Sequence, residues 1–206
     1  MRRTSTATRS GGPVLQGRRV ALRPLVAADW RAWRDVRRTN VDWLTKWEPK
    51  RQPSHPDPVE DRGAFVVRCS ARDRERQLGS GFAFGVFIGT SFVGEMNLSS
   101  IQRGPFQSAY IGYWISQTVA GNGYTPEALA AVMRFAFEEL GLHRVQIAII
   151  PRNSASRRVV EKLGIREEGI ALRYLEINGV WEDHVRYAVT SEEWAVRGPE
   201  WSDAWL

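Results

Sequence analysis

At 206 residues and 43% hydrophobic side chains, the chain is long enough for one domain with a substantial core, which argues against a disordered or fibrous protein. Net charge is +6 and nearly all of the positive charge is arginine, since Lys46, Lys50 and Lys162 are the only lysines. That implies either a phosphate-rich or RNA-bearing partner or simply an arginine-favouring genome. Cys69 stands alone, which excludes an internal disulfide framework and a cysteine zinc site, and no metal is expected. No run approaches about eighteen apolar residues, so no membrane partner is expected. The start also lacks the apolar middle of a secretory signal, and the expected compartment is cytoplasmic.

In chain order, residues 1–16 read as a flexible basic tail, with Asp29 the first acid; contact with ribosomal RNA is one use for such a tail. Residues 17–206 read as one domain. The alternation over 19–25 predicts a half-buried strand, and Trp30, Trp33 and Val36 predict one face of a short helix over 28–38. The proline- and tryptophan-rich stretch that follows cannot be one helix; a charged helix is expected over 59–76. Strands are expected over 81–88 and 91–100, joined by a Gly89-Thr90 hairpin, and over 107–116. The period then changes to a helix over 127–140 stopped by Gly141, a buried strand over 145–150, and a helix over 154–163 closed by Gly164. Two strands, over 165–177 and 181–189, end the sheet, and the Trp-rich tail is expected to pack on the body. The sum is an α+β fold with seven strands in one mixed sheet and helices on both faces.

Two junctions carry chemistry. Between a strand and a helix lies Ser116-Gln117-Thr118-Val119-Ala120-Gly121-Asn122-Gly123-Tyr124-Thr125-Pro126, where the glycines permit a sharp turn and the helix start offers free N–H groups to an anion. Pro126 stands where a dinucleotide fold wants a third small residue, and the Gly-Lys-Ser/Thr of a P-loop is absent. The second junction is Asn153-Ser154-Ala155-Ser156, a helix start in which Asn153 serves as a natural cap.

A strand, a Gly-x-Gly turn, a helix, a strand and an Asn-x-x-Ser helix start together resemble the acetyl-CoA signature of the GCN5-related N-acetyltransferase (GNAT) superfamily. The resemblance is closer to the ribosomal-protein-alanine N-acetyltransferases of RimJ/RimL type. It rests on Trp47-Glu48-Pro49 with Ser54-His55, Arg103-Gly104-x-Phe106, Tyr110-x-Gly112-Tyr113 and Asn178-Gly179-x-Trp181-x-Asp183-His184. Thr118 departs from the family's usual Gln or Arg. The resemblance implies an α/β/α sandwich with a mostly antiparallel sheet. It also implies acetyl-CoA as co-substrate, held by Ile115, Ser116, Gln117, Val119, Gly121, Asn122, Gly123, Tyr124, Thr125, Asn153, Ser156 and Arg158.

The implied reaction is attack of an amine on a thioester. It needs a neutral amine, a donor for the oxyanion and a proton for the sulfur. An α-amine, with a reference pKa of about 7.7–8.0 against about 10.4 for lysine, demands less of a base. Glu95, an acid in an apolar strand, is the expected base, with Glu48 as runner-up holding the cationic terminus. Ser156 is the expected proton donor to sulfur, with Tyr113 and Tyr174 as alternatives, and an N–H near Ile115 is expected to meet the oxyanion. Trp47, Glu48, Tyr113, Tyr174 and His184 are expected on the acceptor side, with Trp43, Trp47 and Trp181 as candidate walls of a peptide groove, and Arg152, Arg157 or Arg158 near a 3′-phosphate. The expected acceptor is a protein N-terminus, ribosomal by the resemblance. The alternatives are a small amine such as an aminoglycoside or polyamine, or a non-enzymatic ribosome-associated protein that retains acetyl-CoA.

Overall fold

The computed structural model describes residues 11–52 and 54–206. Among them eight strands form a single sheet: β1 Leu15–Gln16, β2 Val20–Arg23, β3 Phe82–Ile88, β4 Ser91–Gln102, β5 Ser108–Ile115, β6 Arg144–Ile149, β7 Arg166–Ile177 and β8 Val180–Thr190. Their spatial order is β1-β2-β3-β4-β5-β6-β8-β7, and β5 against β6 is the only parallel pair. The helices are α1 Trp30–Thr39, α2 Val41–Leu44, α3 Arg62–Gln77, α4 Tyr124–Arg134, α5 Ser154–Lys162 and α6 Ser191–Trp205.

The α+β sandwich is as expected, with eight strands rather than seven. The extra one, β1, pairs antiparallel with β2, so Leu15 and Gln16 belong to the sheet and not to a tail. Residues 1–10 of the expected tail lie outside the described residues. A two-residue strand has no alternation to read, which is why periodicity misses it.

Two apolar clusters fix the layers. On one face α4 is buried continuously from Pro126 to Met133, a span apolar except for Glu127, and packs against β2 and β4 with α5 and α6 beside it. On the other face α1 and α3 cover β4 and β3 through Trp33, Phe65, Phe87 and Phe92, with Trp114 packed on them. The alternation of β5 separates the clusters: Ala109, Ile111, Tyr113 and Ile115 face α4 and α5, and Trp114 faces α1. Helix α4 begins three residues before the expected start and runs into a π-turn, Phe135–Glu139. The Trp-rich tail forms α6, capped by Thr190, whose hydroxyl accepts from the Glu193 N–H while the Glu193 carboxylate accepts from the Thr190 N–H.

Candidate active site

The parallel pair opens into a cleft. β5 and β6 are in register only from Ser108–Arg144 to Tyr110–Gln146, after which β5 runs on to Ile115 and β6 to Ile149 without pairing. The Arg144 N–H donates to Gln107 O (3.1 Å), whereas the Ser116 N–H turns the other way to Val93 O (2.7 Å). Odd-numbered residues of β5 therefore direct their main chain at β6, which leaves polar groups of Ile111, Tyr113 and Ile115 on an unpaired edge. The resulting cleft has a volume of about 750 Å³ and passes from the α4–α5 face of the sheet to the α1 face.

At one end lies the glycine turn. Gly121 and Gly123 both have φ of +85°, a conformation that glycine adopts without strain, and Gly123 caps α4. The N–H groups of Val119 and Ala120 are used within the turn, donating to Ser116 O and Gln117 O. No main-chain acceptor among the described residues takes the N–H of Gly121, Asn122, Gly123, Tyr124 or Thr125. The N–H groups open to an anion at this turn are thus those of residues 121–125, at the positive end of the α4 dipole, and not those of Val119 and Ala120.

Two buried side chains hold this turn in place. Glu127, 1% exposed in the first turn of α4, accepts from the Val20 N–H (2.9 Å), from the Arg19 N–H and from Arg19 Nε (2.9 Å), tying β2 to the helix start. Arg19 Nη1 in turn donates to Asn122 O (3.1 Å). Asn40, just past α1 and 2% exposed, accepts from the Gln117 N–H (2.7 Å) and donates to Ser116 Oγ (3.0 Å). Asn40→Ala is expected to cost about 2 kcal/mol by stranding these partners. For a chain of this size that is a fall in melting temperature of roughly 4–8 °C, readable by calorimetry together with weaker coenzyme A binding.

Helix α5 supplies the floor. Asn153 caps it, its Oδ1 accepting from the Ser156 N–H (3.2 Å). Ser156 Oγ donates to the Tyr113 hydroxyl (3.1 Å), which itself donates to Ser156 O (3.2 Å). Burial pushes the Tyr113 hydroxyl well above its ordinary pKa against the opposing effect of that hydrogen bond, so near neutral pH it is a proton donor and not a base. Of the three arginines considered for a phosphate, only Arg158 lines the cleft, joined by Lys162. Arg152 pairs with Glu182 (2.7 Å) and Arg157 Nε donates to the Tyr187 hydroxyl (3.2 Å).

The other mouth carries the early and late segments. Glu48 receives both Nη groups of Arg37, at 2.5 and 2.6 Å. Burial works against the charged Arg37 guanidinium, but its bonds to Glu48, with Glu95 and Asp57 nearby, raise its pKa. The Asn178 N–H at the β7–β8 turn donates to Glu48 O (2.9 Å), so the two segments are joined. Trp43 Nε1 donates to Ile115 O (3.1 Å), and Trp43, Trp47 and the 3%-exposed His184 line this end.

Several expected residues lie elsewhere. Glu95, 2% exposed, does not line the cleft. Its carboxylate takes Trp33 Nε1 and Arg68 Nη2, and it borders a separate 350 Å³ pocket against α3. A register shift between Val86 and Phe87 skips Val93 in the β3–β4 ladder and turns Glu95 to the same side as Phe92, under α1 and α3. That geometry removes it as the base. Tyr174 also lies outside the cleft, tilted against His184 at 5.6 Å. Ser116 is buried beneath the turn in its bond to Asn40, and the Asn122 side chain folds back onto Val119 O (3.2 Å). Trp181 is 60% exposed and not part of the wall. Asn40, Arg37 and Asn97 are the site residues that sequence reasoning missed, whereas Trp43 and Trp47, expected as walls of a peptide groove, do line the cleft. None of the missed three belongs to a motif, and only tertiary contacts single them out.

A family model described as an acetyltransferase (GNAT) domain matches residues 19–166. The chain belongs to the GNAT acetyltransferase family. This GNAT protein is similar to [ribosomal protein uS5]-alanine N-acetyltransferase of Escherichia coli K12, 35% identical over 167 residues that cover 79% of this chain and 84% of that protein. Among solved structures it resembles Mycobacterium smegmatis RimJ in complex with CoA-disulfide, with a TM-score of 0.82, 31% identity and coverage of 94% of this chain and 93% of that one. It also resembles ribosomal-protein-S5-alanine acetyltransferase from Vibrio fischeri, with a TM-score of 0.79, 27% identity and coverage of 89% and 99%. The expected family and N-acetyltransferase activity are met. No helix among the described residues is long and apolar enough to cross a membrane.

Proposed function

We propose that this GNAT enzyme moves the acetyl group of acetyl-CoA onto the N-terminal α-amine of a ribosomal protein, in the cytoplasm, by direct attack in a ternary complex. The observation that carries the reading is the cleft through the sheet, with an amide cradle at one end and a tryptophan-lined, acid-bearing mouth at the other. The turn suits a diphosphate, because five consecutive N–H groups at a helix N-terminus have no main-chain acceptor, and Arg158 and Lys162 line the same cleft. The mouth suits an extended chain with a cationic end, because Trp43 and Trp47 offer flat apolar walls and Glu48 a carboxylate. Similarity to RimJ bound to CoA-disulfide, and to an enzyme named for a ribosomal-protein alanine, supports both assignments.

Amine attack on a thioester develops charge on the carbonyl oxygen and releases a thiolate, and the chain has a group for each demand. The Ile115 N–H, on the unpaired edge of β5, is assigned to the oxygen. The Ser156–Tyr113 pair holds a proton for the sulfur. Glu48, held in place by its ion pair with Arg37, attracts the incoming terminus. About a tenth of an α-amine is already neutral at pH 7, so proton loss to water or to Glu48 suffices. The RNA contact expected of the basic tail falls largely on residues outside those described.

The test is acetylation of peptides starting with Ala or Ser, with free or blocked N-termini, followed by mass spectrometry. A single acetyl group on the free α-amine is expected, and none on blocked peptides that carry an internal lysine. Turnover confined to aminoglycosides or polyamines would overturn the acceptor assignment.

A further inference from the structure

Asn97, in β4, is the exception among the buried polar side chains of the described residues. Its Oδ1 is the one buried side-chain polar atom without a hydrogen-bond partner among the described residues. Such an atom weakens a fold unless something from outside the protein meets it. Asn97 pairs in register with Gly112 of β5, and both line the cleft. The two-residue alternation of β4 puts Asn97 on the face of Glu95, toward α1, which is the face of the Glu48 mouth. Opposite it the wall is hollow: a Cβ built on Gly112 meets nothing within 4 Å, and the position needs no positive φ, so the missing side chain is not a backbone requirement.

We infer that Asn97 and Gly112 form the subsite for the acceptor's nitrogen. Asn97 Oδ1 accepts an N–H of the attacking amine, and the hollow at Gly112 admits the acceptor's first residue. The inference rests on the amine-acceptor reading above and names the residues that would place the amine. Asn97 is a positioning residue; its amide takes no proton. The terminal torsion of an Asn is broad, so Oδ1 can swing onto an incoming donor without backbone movement. An uncharged acceptor also fits the chemistry. A carboxylate here would favour the ammonium form, whose lone pair is occupied, whereas an amide oxygen orients the neutral amine and leaves its lone pair free for attack.

The test compares Asn97→Leu, Asn97→Asp and Gly112→Val with the wild type. Melting temperature, acetyl-CoA KM and the pH profile of kcat/KM are followed, with an Ala-start peptide and with a small primary amine as acceptors. Asn97→Leu should keep or raise the melting temperature, since the lost oxygen had no partner inside the protein. It should leave acetyl-CoA KM unchanged and raise KM for the amine about ten- to a hundredfold, as the loss of a bond made equally before and during attack does. Gly112→Val should raise the same KM. Asn97→Asp, close in shape, should recover activity only as pH rises, its profile displaced upward. Wild-type KM for the amine in Asn97→Leu, or activity in both Asn97 variants that merely follows a lowered melting temperature, overturns the inference. If only the small amine reacts, the ribosomal reading falls while the Asn97 effect is still decided on that amine.

Discussion

Gly123→Val is expected to weaken coenzyme A binding about a hundredfold, while the protein remains folded. At φ of +85° any side chain is strained, and a β-branched one most of all. The new Cβ would also sit 3.2 Å from Arg19 Nη2 and 3.5 Å from the Trp205 ring. Arg19 is not free to retreat: its Nε is bonded to buried Glu127, Nη1 holds Asn122 O, and its guanidinium lies 4.7 Å from the centre of the Tyr124 ring. Relief therefore comes from turning the peptide planes of 122–124, whose N–H groups make the cradle. A hundredfold loss corresponds to about 2.8 kcal/mol, which strain and lost anion contacts together can supply. Gly121 separates the two causes, because it has the same φ with nothing within 4 Å of its Cβ. Gly121→Asn, a residue that tolerates this conformation, should bind coenzyme A within a few-fold of wild type. Calorimetric titration of both variants decides the matter, and an unaltered dissociation constant in Gly123→Val would remove the cradle from the site.

What was legible from sequence was local. Gly121, Gly123 and Pro126 announce a turn into a helix because each answers a backbone need at its own position, and Asn153 announces a cap for the same reason. The helical spacing over 127–140 predicted the central helix, and the run 107–116 after the Gly104-Pro105 turn predicted β5. The pairing of distant polar groups was not legible. Asn40 reads as one more polar residue at a helix end, yet it pins the turn 77 positions later. Glu95 drew notice as an acid in an apolar strand, but a period of two says only that it alternates. It does not say that a skipped residue at Val93 turns it under α1, nor that Arg68 waits there. Glu48 was placed at the acceptor mouth by resemblance, while its partner Arg37 lay hidden among the arginines of an amphipathic helix. Charge partners are chosen by tertiary structure, and no spacing rule along the chain encodes them.

Arg68→Ala should be among the most destabilising single changes in the protein, and it bears directly on the role of Glu95. The Glu95 carboxylate is 2% exposed, and Arg68, whose side chain is 25% exposed, is its one cationic hydrogen-bond partner. Removing the guanidinium leaves the buried carboxylate under α1 with Trp33 Nε1 as its remaining hydrogen-bond donor among the described residues, a loss of about 3–5 kcal/mol. In a chain of this length that is a fall of roughly 6–20 °C in melting temperature. The double variant Arg68→Met with Glu95→Leu should recover most of the loss, because an apolar pair of similar volume avoids desolvating two charges. It should also keep kcat near wild type once corrected for folded protein, since Glu95 does not line the cleft. Were the double variant stable but slowed a hundredfold or more, the carboxylate would have to act on the acceptor after all, through a movement that brings β4 and Trp33 apart. Retained kcat instead leaves the Glu48 carboxylate and water as the acceptors of the amine proton, which is all that an α-amine with a pKa of about 7.7–8.0 requires.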